Sequence, residues 1–195
     1  MLKGIINFVI LAVVTTTMLG AADFKVDKDA TKVGWHAEKV TGEHDGYVNI
    51  KSGSFDIDNG MIEDGDFVID MKSITNTDLE DEGYKAKLEG HLKSEDFFSV
   101  EKFPEAKFVV TSVKKKADMQ HITGNLTIKG ITHEISFPAK VTATNDMFTA
   151  MATIKIDRSK YNVQFRSKSF FDIEALGDKL IYDEFTINLH LVAKK

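Results

Sequence analysis

Histidine is the residue type in this sequence with the widest range of chemistry, because imidazole binds metals and moves protons near neutral pH. The 195-residue chain has six histidines and no cysteine. They are His36, His44, His91, His121, His133 and His190. No two of them have the His-x-x-x-His spacing of a helical metal site, so a tetrahedral site would need ligands from separate strands. We therefore predict no bound metal.

Covalent catalysis has no better support in the sequence. It has neither a Gly-x-Ser-x-Gly elbow nor a phosphate-binding glycine loop, and it lacks a cysteine nucleophile. Carboxylates cluster at 80–82 and 95–96, where a solvated surface is the ordinary interpretation. An acid–base pair formed across the fold stays open, but we do not expect an enzyme.

The elements that must position these side chains are strands. Apolar and polar residues alternate through 32–38, 66–72, 121–129, 131–137, 148–157 and 185–191. Such alternation is typical of antiparallel strands with one dry and one wet face. His133 falls on the apolar side of its strand. Two groups are predicted to face the interior: Phe67, Ile69 and Met71, and Phe185, Ile187 and Leu189. Three residues are predicted to face water: Asp66, Asp70 and Lys72.

Turn signals separate the strands. They are Asp45-Gly46, Asp58-Asn59-Gly60, Asp64-Gly65, Lys129-Gly130 and Asn145-Asp146. Short strands with frequent turns indicate a sandwich or a closed barrel. One polar segment, 76–98, instead predicts short or broken helical pieces, capped at Asn76, Thr77 or Asp78 and weakened by Gly83 and Gly90. Tyr84, Leu88 and Leu92 share one helical stripe, and we expect this excursion across a flank or mouth of the sheet.

Fourteen phenylalanines make the interior strongly aromatic. Small residues share the apolar face with them, namely Ala37, Gly124, Ala150 and Ala152. Small side chains on an inner face leave volume unfilled, and an eight-stranded barrel is about wide enough to be filled or to hold one small ligand. The residues alone leave a filled core and a ligand cavity equally supported.

The first 22 residues have the order of a secretory signal peptide: Lys3, an apolar run over 4–14, and small residues at Gly20-Ala21-Ala22. The apolar run is shorter than the roughly 20 residues of a membrane span. We predict a signal peptide at 1–22, a mature domain at 23–195 and a periplasmic location. Loss of Lys3 takes the net charge from −5 to −6, which argues against nucleic acid as a partner.

Several short motifs resemble those of the YceI-like family. They are the stretches 33–36 (VGWH), 41–46 (TGEHDG), 90–98 (GHLKSEDFF), 102–108 (KFPEAKF), 124–132 (GNLTIKGIT), 157–162 (DRSKYN) and 176–181 (LGDKLI). The likeness runs over about 24–194. It implies an all-β fold, a lipocalin-like barrel of eight antiparallel strands with one helical excursion, in the bacterial periplasm.

The resemblance also implies a ligand: an isoprenoid or quinone-like lipid threaded into the barrel, with no other cofactor and no catalytic residues. We expect ten residues to line the lumen: Trp35, Phe67, Ile69, Met71, Phe108, Phe137, Phe148, Ala150, Ala152 and Ile154. Two alternatives stay open. One is an enzyme that acts on a lipid-like substrate with a histidine inside the barrel, and the other is a filled barrel that binds another exported protein. The sequence is also compatible with a homodimer.

Overall fold

The computed structural model describes residues 22–195, and most of them form one antiparallel sheet. The strands are β1 (Ala22–Val26), β2 (Lys32–Lys39), β3 (Gly42–Asp58), β4 (Met61–Asn76), β5 (Glu105–Lys116), β6 (Met119–Ile128), β7 (Ile131–Ala143), β8 (Met147–Asp157) and β9 (Ile181–Lys194). The helices are α1 (Glu82–Lys93) and α2 (Ile173–Leu176), with 3₁₀ turns at Arg158–Tyr161 and Gly177–Lys179. The predicted signal peptide lies outside the described residues except for Ala22, and it stays a prediction.

The sheet closes on itself. Its spatial order runs from β2 through β9, β8, β7, β6, β5, β4 and β3, and β3 pairs back with β2. The short strand β1 pairs with both β3 and β9, so it occupies the place beyond the start of β2. A turn at Asp27–Thr31 separates the two strands, with the Thr31 amide donating to the Asp27 carbonyl at 3.0 Å. The predicted eight-stranded barrel is confirmed, and two successive strands share one of its eight places.

The alternation of each strand decides which residues fill the barrel, because neighbouring side chains point to opposite faces. Phe67, Ile69 and Met71 face the interior, as predicted. Phe185, Ile187 and Leu189 also face it, as predicted. Asp66 and Lys72 are exposed and Asp70 is half-buried on the outer phase. The register inferred from the sequence is therefore confirmed in both strands.

Three of the predicted turns are turns, and two are not. Asn59-Gly60 and Lys129-Gly130 join hairpins, and all four residues have positive φ angles as tight hairpin loops require. Asn145-Asp146 also lies between strands. Asp45-Gly46 and Asp64-Gly65 instead lie inside β3 and β4. Their glycines admit neighbouring rings: a Cβ at Gly46 would lie 2.6 Å from the Trp35 indole.

The polar segment 76–98 contains one helix rather than several pieces. Asp81 caps α1 by accepting from the Tyr84 amide at 2.9 Å, so the predicted caps at 76–78 are wrong. Both Gly83 and Gly90 lie within this continuous helix. The helix packs against β4, at the same end of the barrel as the segment 158–180. We call this end the helical end.

Candidate ligand-binding cavity

The barrel encloses a cavity of about 230 Å³. For scale, an apolar cavity of about 150 Å³ is large enough to hold benzene. Every strand from β2 to β9 contributes to its wall, and the polar atoms of the lining residues contribute almost nothing to its surface. Among residues 22–195, Arg158 is the only charged residue on the wall. The cavity therefore suits an apolar occupant.

Eight of the ten residues expected in the lumen line this cavity. They are Trp35, Phe67, Ile69, Met71, Phe108, Phe137, Ala150 and Ile154. The other two, Phe148 and Ala152, lie elsewhere. Phe148 is fully buried in a phenylalanine cluster. Ala152 packs against the core and borders a second, more polar pocket. The contact of each residue with a ligand stays a prediction.

The small residues differ in what they leave empty. Ala37 and Ala150 border the cavity. Gly124 does not, because a Cβ there would overlap the Phe108 ring of the adjacent strand. The expectation that Gly124 leaves open volume is wrong, since its neighbour's ring takes that space. The hollow part of the barrel thus depends on cross-strand pairs as well as on residue size.

Phenylalanine rings fill one end of the barrel. Phe24, Phe55 and Phe148 are at most 3% exposed, and none of them lines the cavity. The Phe55 ring centroid lies 4.5 Å from that of Phe148 and 6.1 Å from that of Phe24. Phe67 lies on the cavity wall and is 5.9 Å from Phe55. We call Phe24, Phe55 and Phe148 the aromatic floor.

The β3–β4 hairpin covers the same end of the barrel beside this floor, and Ile62 near its tip lines the cavity. β4 pairs with β5 only over Asp66–Asp70, which leaves the first residues of β4 free of that strand. The Gln120 side chain of β6 accepts from the Ile62 amide at 3.1 Å and donates to the Gly60 carbonyl at 2.7 Å. A single buried amide side chain therefore ties the hairpin tip across the barrel end.

The helical end is organised around a buried cation. The Arg158 guanidinium is 5% exposed and donates to the carbonyls of Val163, Ile181 and Tyr182 at 2.9–3.1 Å. Its Nη2 atom lies 3.5 Å from Oδ1 of Asp183, which is also buried. Burial lowers the pKa of Arg158, and the charge of Asp183 opposes that shift. An arginine remains protonated even so, and it joins the start of segment 158–180 to the start of β9.

The helical excursion also reaches the cavity. Leu92, Phe97 and Phe98 line it from this end, together with Ile181 and Tyr182. The sequence placed none of these five in the lumen. Leu92 lay on the helical stripe, but Phe97 and Phe98 follow the helix in an irregular stretch where periodicity carries no signal. Tyr182 is 42% exposed, so the wall at this end includes a residue that also meets solvent.

The histidines stay outside the cavity, and none lines it among the residues the structure describes. His133 is on the inner phase but lies beyond the cavity, with its ring against Tyr161 and its Nε2 3.0 Å from the Lys160 carbonyl. Within residues 22–195, His36, Glu38 and Glu43 form the only group of three or more potential ligands whose metal-binding atoms all lie within 4.8 Å of one another. Hydrogen bonds to two carboxylates raise the pKa of His36; the bond to Asp45 has the larger effect and the bond to Glu38 the smaller. Imidazole–carboxylate pairing accounts for this group without an ion.

Known proteins share this architecture. A family model for the YceI-like domain matches residues 24–193. The chain belongs to the YceI-like family. The protein YceI of Salmonella arizonae is 34% identical over 156 residues, which cover 75% of this chain and 76% of that protein. The family resemblance inferred from these short motifs is therefore confirmed.

Solved structures of other proteins share the fold. BcnA from Burkholderia cenocepacia has a TM-score of 0.65 at 24% identity, over 86% of this chain and 98% of that one. A polyisoprenoid-binding domain from Saccharophagus degradans, implicated in plant cell wall breakdown, has a TM-score of 0.62 at 14% identity, over 88% and 97%. In the described part of this YceI-like chain, no helix is long and apolar enough to cross a membrane.

Proposed function

We propose that this chain is a periplasmic carrier or scavenger that holds an isoprenoid lipid, of quinone-like or polyprenyl type, inside its barrel. The observation that carries the proposal is the enclosed cavity with almost no accessible polar atom. The polyisoprenoid-binding domain of the same fold supports this choice of ligand. The predicted signal peptide supports the location.

The physical chemistry of such a site favours a hydrocarbon tail. Burial of each methylene-sized group contributes about 0.8 kcal/mol, so a five-carbon isoprene unit gains up to about 4 kcal/mol. Association and ordering of the chain offset much of this gain. A wall without hydrogen-bonding groups selects by length and shape, because a buried, unpaired polar group costs free energy.

The proposal does not assign catalysis to the barrel. An enzyme acting on the bound lipid would need a proton-transfer group within hydrogen-bonding reach of it. The wall offers no histidine or carboxylate among the described residues, and the guanidinium of Arg158 is occupied by three backbone carbonyls. Binding alone is therefore the function that this geometry supports best.

Native mass spectrometry of protein purified from the periplasm, followed by organic extraction, tests the proposal directly. We expect an isoprenoid lipid at about one per chain. N-terminal sequencing of the same material should find a start near Ala21 to Asp23. Exported protein that begins at Met1 would contradict the signal peptide, and a chain that neither carries nor takes up lipid would contradict the carrier.

A filling substitution separates a hollow barrel from a solid one. Ala150 is 3% exposed on the cavity wall, so Ala150→Phe should abolish uptake of a fluorescent prenyl probe. Its melting temperature should change little, because the ring enters empty volume instead of a dense core, where overpacking costs about 1–3 kcal/mol. Met151→Phe on the outer face, where Met151 is 57% exposed, is the matched control and should bind normally.

A further inference from the structure

The cavity is not symmetric from end to end. At the helical end, Tyr182 is both exposed and part of the wall. At the other end, Phe24, Phe55 and Phe148 are buried to 97% or more. A lipid with one polar terminus would lose hydration inside this wall without gaining a hydrogen bond. The polar terminus therefore belongs at the helical end, and the hydrocarbon tail points to the aromatic floor.

The aromatic floor is built to resist displacement. Its rings come from three strands, β1, β3 and β8, so that no single loop movement removes them. Phe24 and Phe55 stack with an interplanar angle of 8°, and Phe148 meets Phe55 edge-on at 62°. Gly65, opposite Phe55 on β4, leaves no spare room, because a Cβ there would lie 2.9 Å from the Phe55 Cβ. Dense packing of this kind does not yield to an incoming chain end.

We propose that the aromatic floor sets the longest isoprenoid tail that the barrel accepts. Phe55 determines this limit from behind the wall, because its ring supports Phe67, which together with Ile62 lines this end of the cavity. The inference rests on the proposed function and adds its specificity. Phe55 is the central ring, since it contacts Phe24, Phe148 and the wall residue Phe67. Each isoprene unit that fits between the helical end and the floor increases the affinity of the lipid. Once the cavity is full, any further units remain in water at the helical end.

A prenol series measures this limit. Competition of geraniol, farnesol, geranylgeraniol and longer prenols against a fluorescent prenyl probe gives an affinity for each length. In the wild type we expect about tenfold tighter binding per added unit, followed by a plateau once the tail fills the cavity. Phe55→Ala removes the whole central ring, which is about the size of one five-carbon isoprene unit, so the plateau should begin about one unit later.

A second variant moves the limit in the opposite direction. Ala150 is the next inward residue after Phe148 on β8, and it borders the cavity. Ala150→Val adds volume above the floor while leaving all three rings intact, so the plateau should begin at a shorter prenol. This variant keeps the inference testable if Phe55→Ala folds poorly.

Val163→Ala is the control for lost stability alone, because Val163 is fully buried but does not line the cavity. Its plateau should match that of the wild type. An unchanged plateau in Phe55→Ala or in Ala150→Val would overturn the floor as the determinant and leave lipid binding intact. Failure of every prenol to bind the wild type would instead overturn the proposed function, and the inference with it.

Discussion

The two ends of this barrel are closed by different physical means. At the aromatic floor, apolar rings fill the space, and the Gln120 side chain ties the adjacent hairpin tip across the barrel. At the helical end, the Arg158–Asp183 pair and its backbone partners hold an irregular segment in place. The aromatic floor is densely packed. The helical end is ordered by directional bonds that do not fill its interior. The hollow part of the barrel lies between the two.

The helical end also carries the unsatisfied polar atoms of the described chain. Tyr161 Oη and Asp183 Oδ1 are buried without a hydrogen-bond partner. Asp183 is compensated in part by the ion pair with Arg158 and by the Ser169 hydroxyl, which donates to its Oδ2 at 2.7 Å. Burial raises the pKa of the Tyr161 phenol. An end held in this way should open more readily than the floor, because a few directional bonds, and not a regular strand ladder, hold its irregular backbone in place.

Truncation of the floor should have the largest effect on stability. Phe148 is fully buried, so we expect Phe148→Ala to lower the free energy of unfolding by about 3–5 kcal/mol. Urea denaturation measures the loss, with Met147→Ala as control, because Met147 is 44% exposed on the same strand. A loss below about 1 kcal/mol for Phe148→Ala would mean that the floor packs loosely and cannot limit a tail.

A change at the helical end should be smaller and local. Arg158→Lys keeps the charge beside Asp183 but cannot reach all three carbonyls, and unpaired buried acceptors cost about 1–3 kcal/mol. Hydrogen exchange should accelerate over 158–181 and stay unchanged at the floor. Lys155→Ala is the control, because its ion pair with Glu184 is exposed. Equal acceleration at both ends would show that the barrel opens as one unit.

Strand alternation made most of the fold predictable, because the inner and outer phases of Phe67 or Phe185 depend only on neighbours along the chain. The cavity was less predictable. Gly124 and Ala150 have similar sizes, yet the Phe108 ring fills the space at Gly124 while Ala150 borders open volume. The difference depends on which ring lies opposite on the adjacent strand, and that depends on the register between strands.

The helical end was the part least accessible to sequence reasoning. Segment 158–180 has no periodic pattern, and it contributes turns and a four-residue helix. Arg158 binds backbone carbonyls, which leave no complementary side-chain signature in the sequence. The stretch 157–162 was one of the motifs that carried the family resemblance. Its structural role became clear only from the contacts that Arg158 makes.

The smallest expected effect concerns the outer surface near the helical end. His36 Nδ1 lies 2.9 Å from Asp45 and its Nε2 3.2 Å from Glu38, and these carboxylates raise its pKa above the ordinary value of 6.5. A raised folded-state pKa stabilises the protein fully below the unfolded value, and this contribution is lost as the pH rises through the folded value. Because the pair lies at the surface, we expect at most about 1 kcal/mol.

His36→Gln removes this protonation. Its melting temperature should fall below that of the wild type at about pH 5.5 and approach it at about pH 8.5. His121→Gln, between Lys114 and Pro138 on neighbouring strands, is the control and should show no such convergence. Because His36 contacts neither the floor nor the cavity, prenyl-probe affinity should be the same in both variants. A pH-dependent loss of probe binding in His36→Gln would instead show that surface charge at the helical end controls access to the cavity, which would make the two ends differ in regulation as well as in packing.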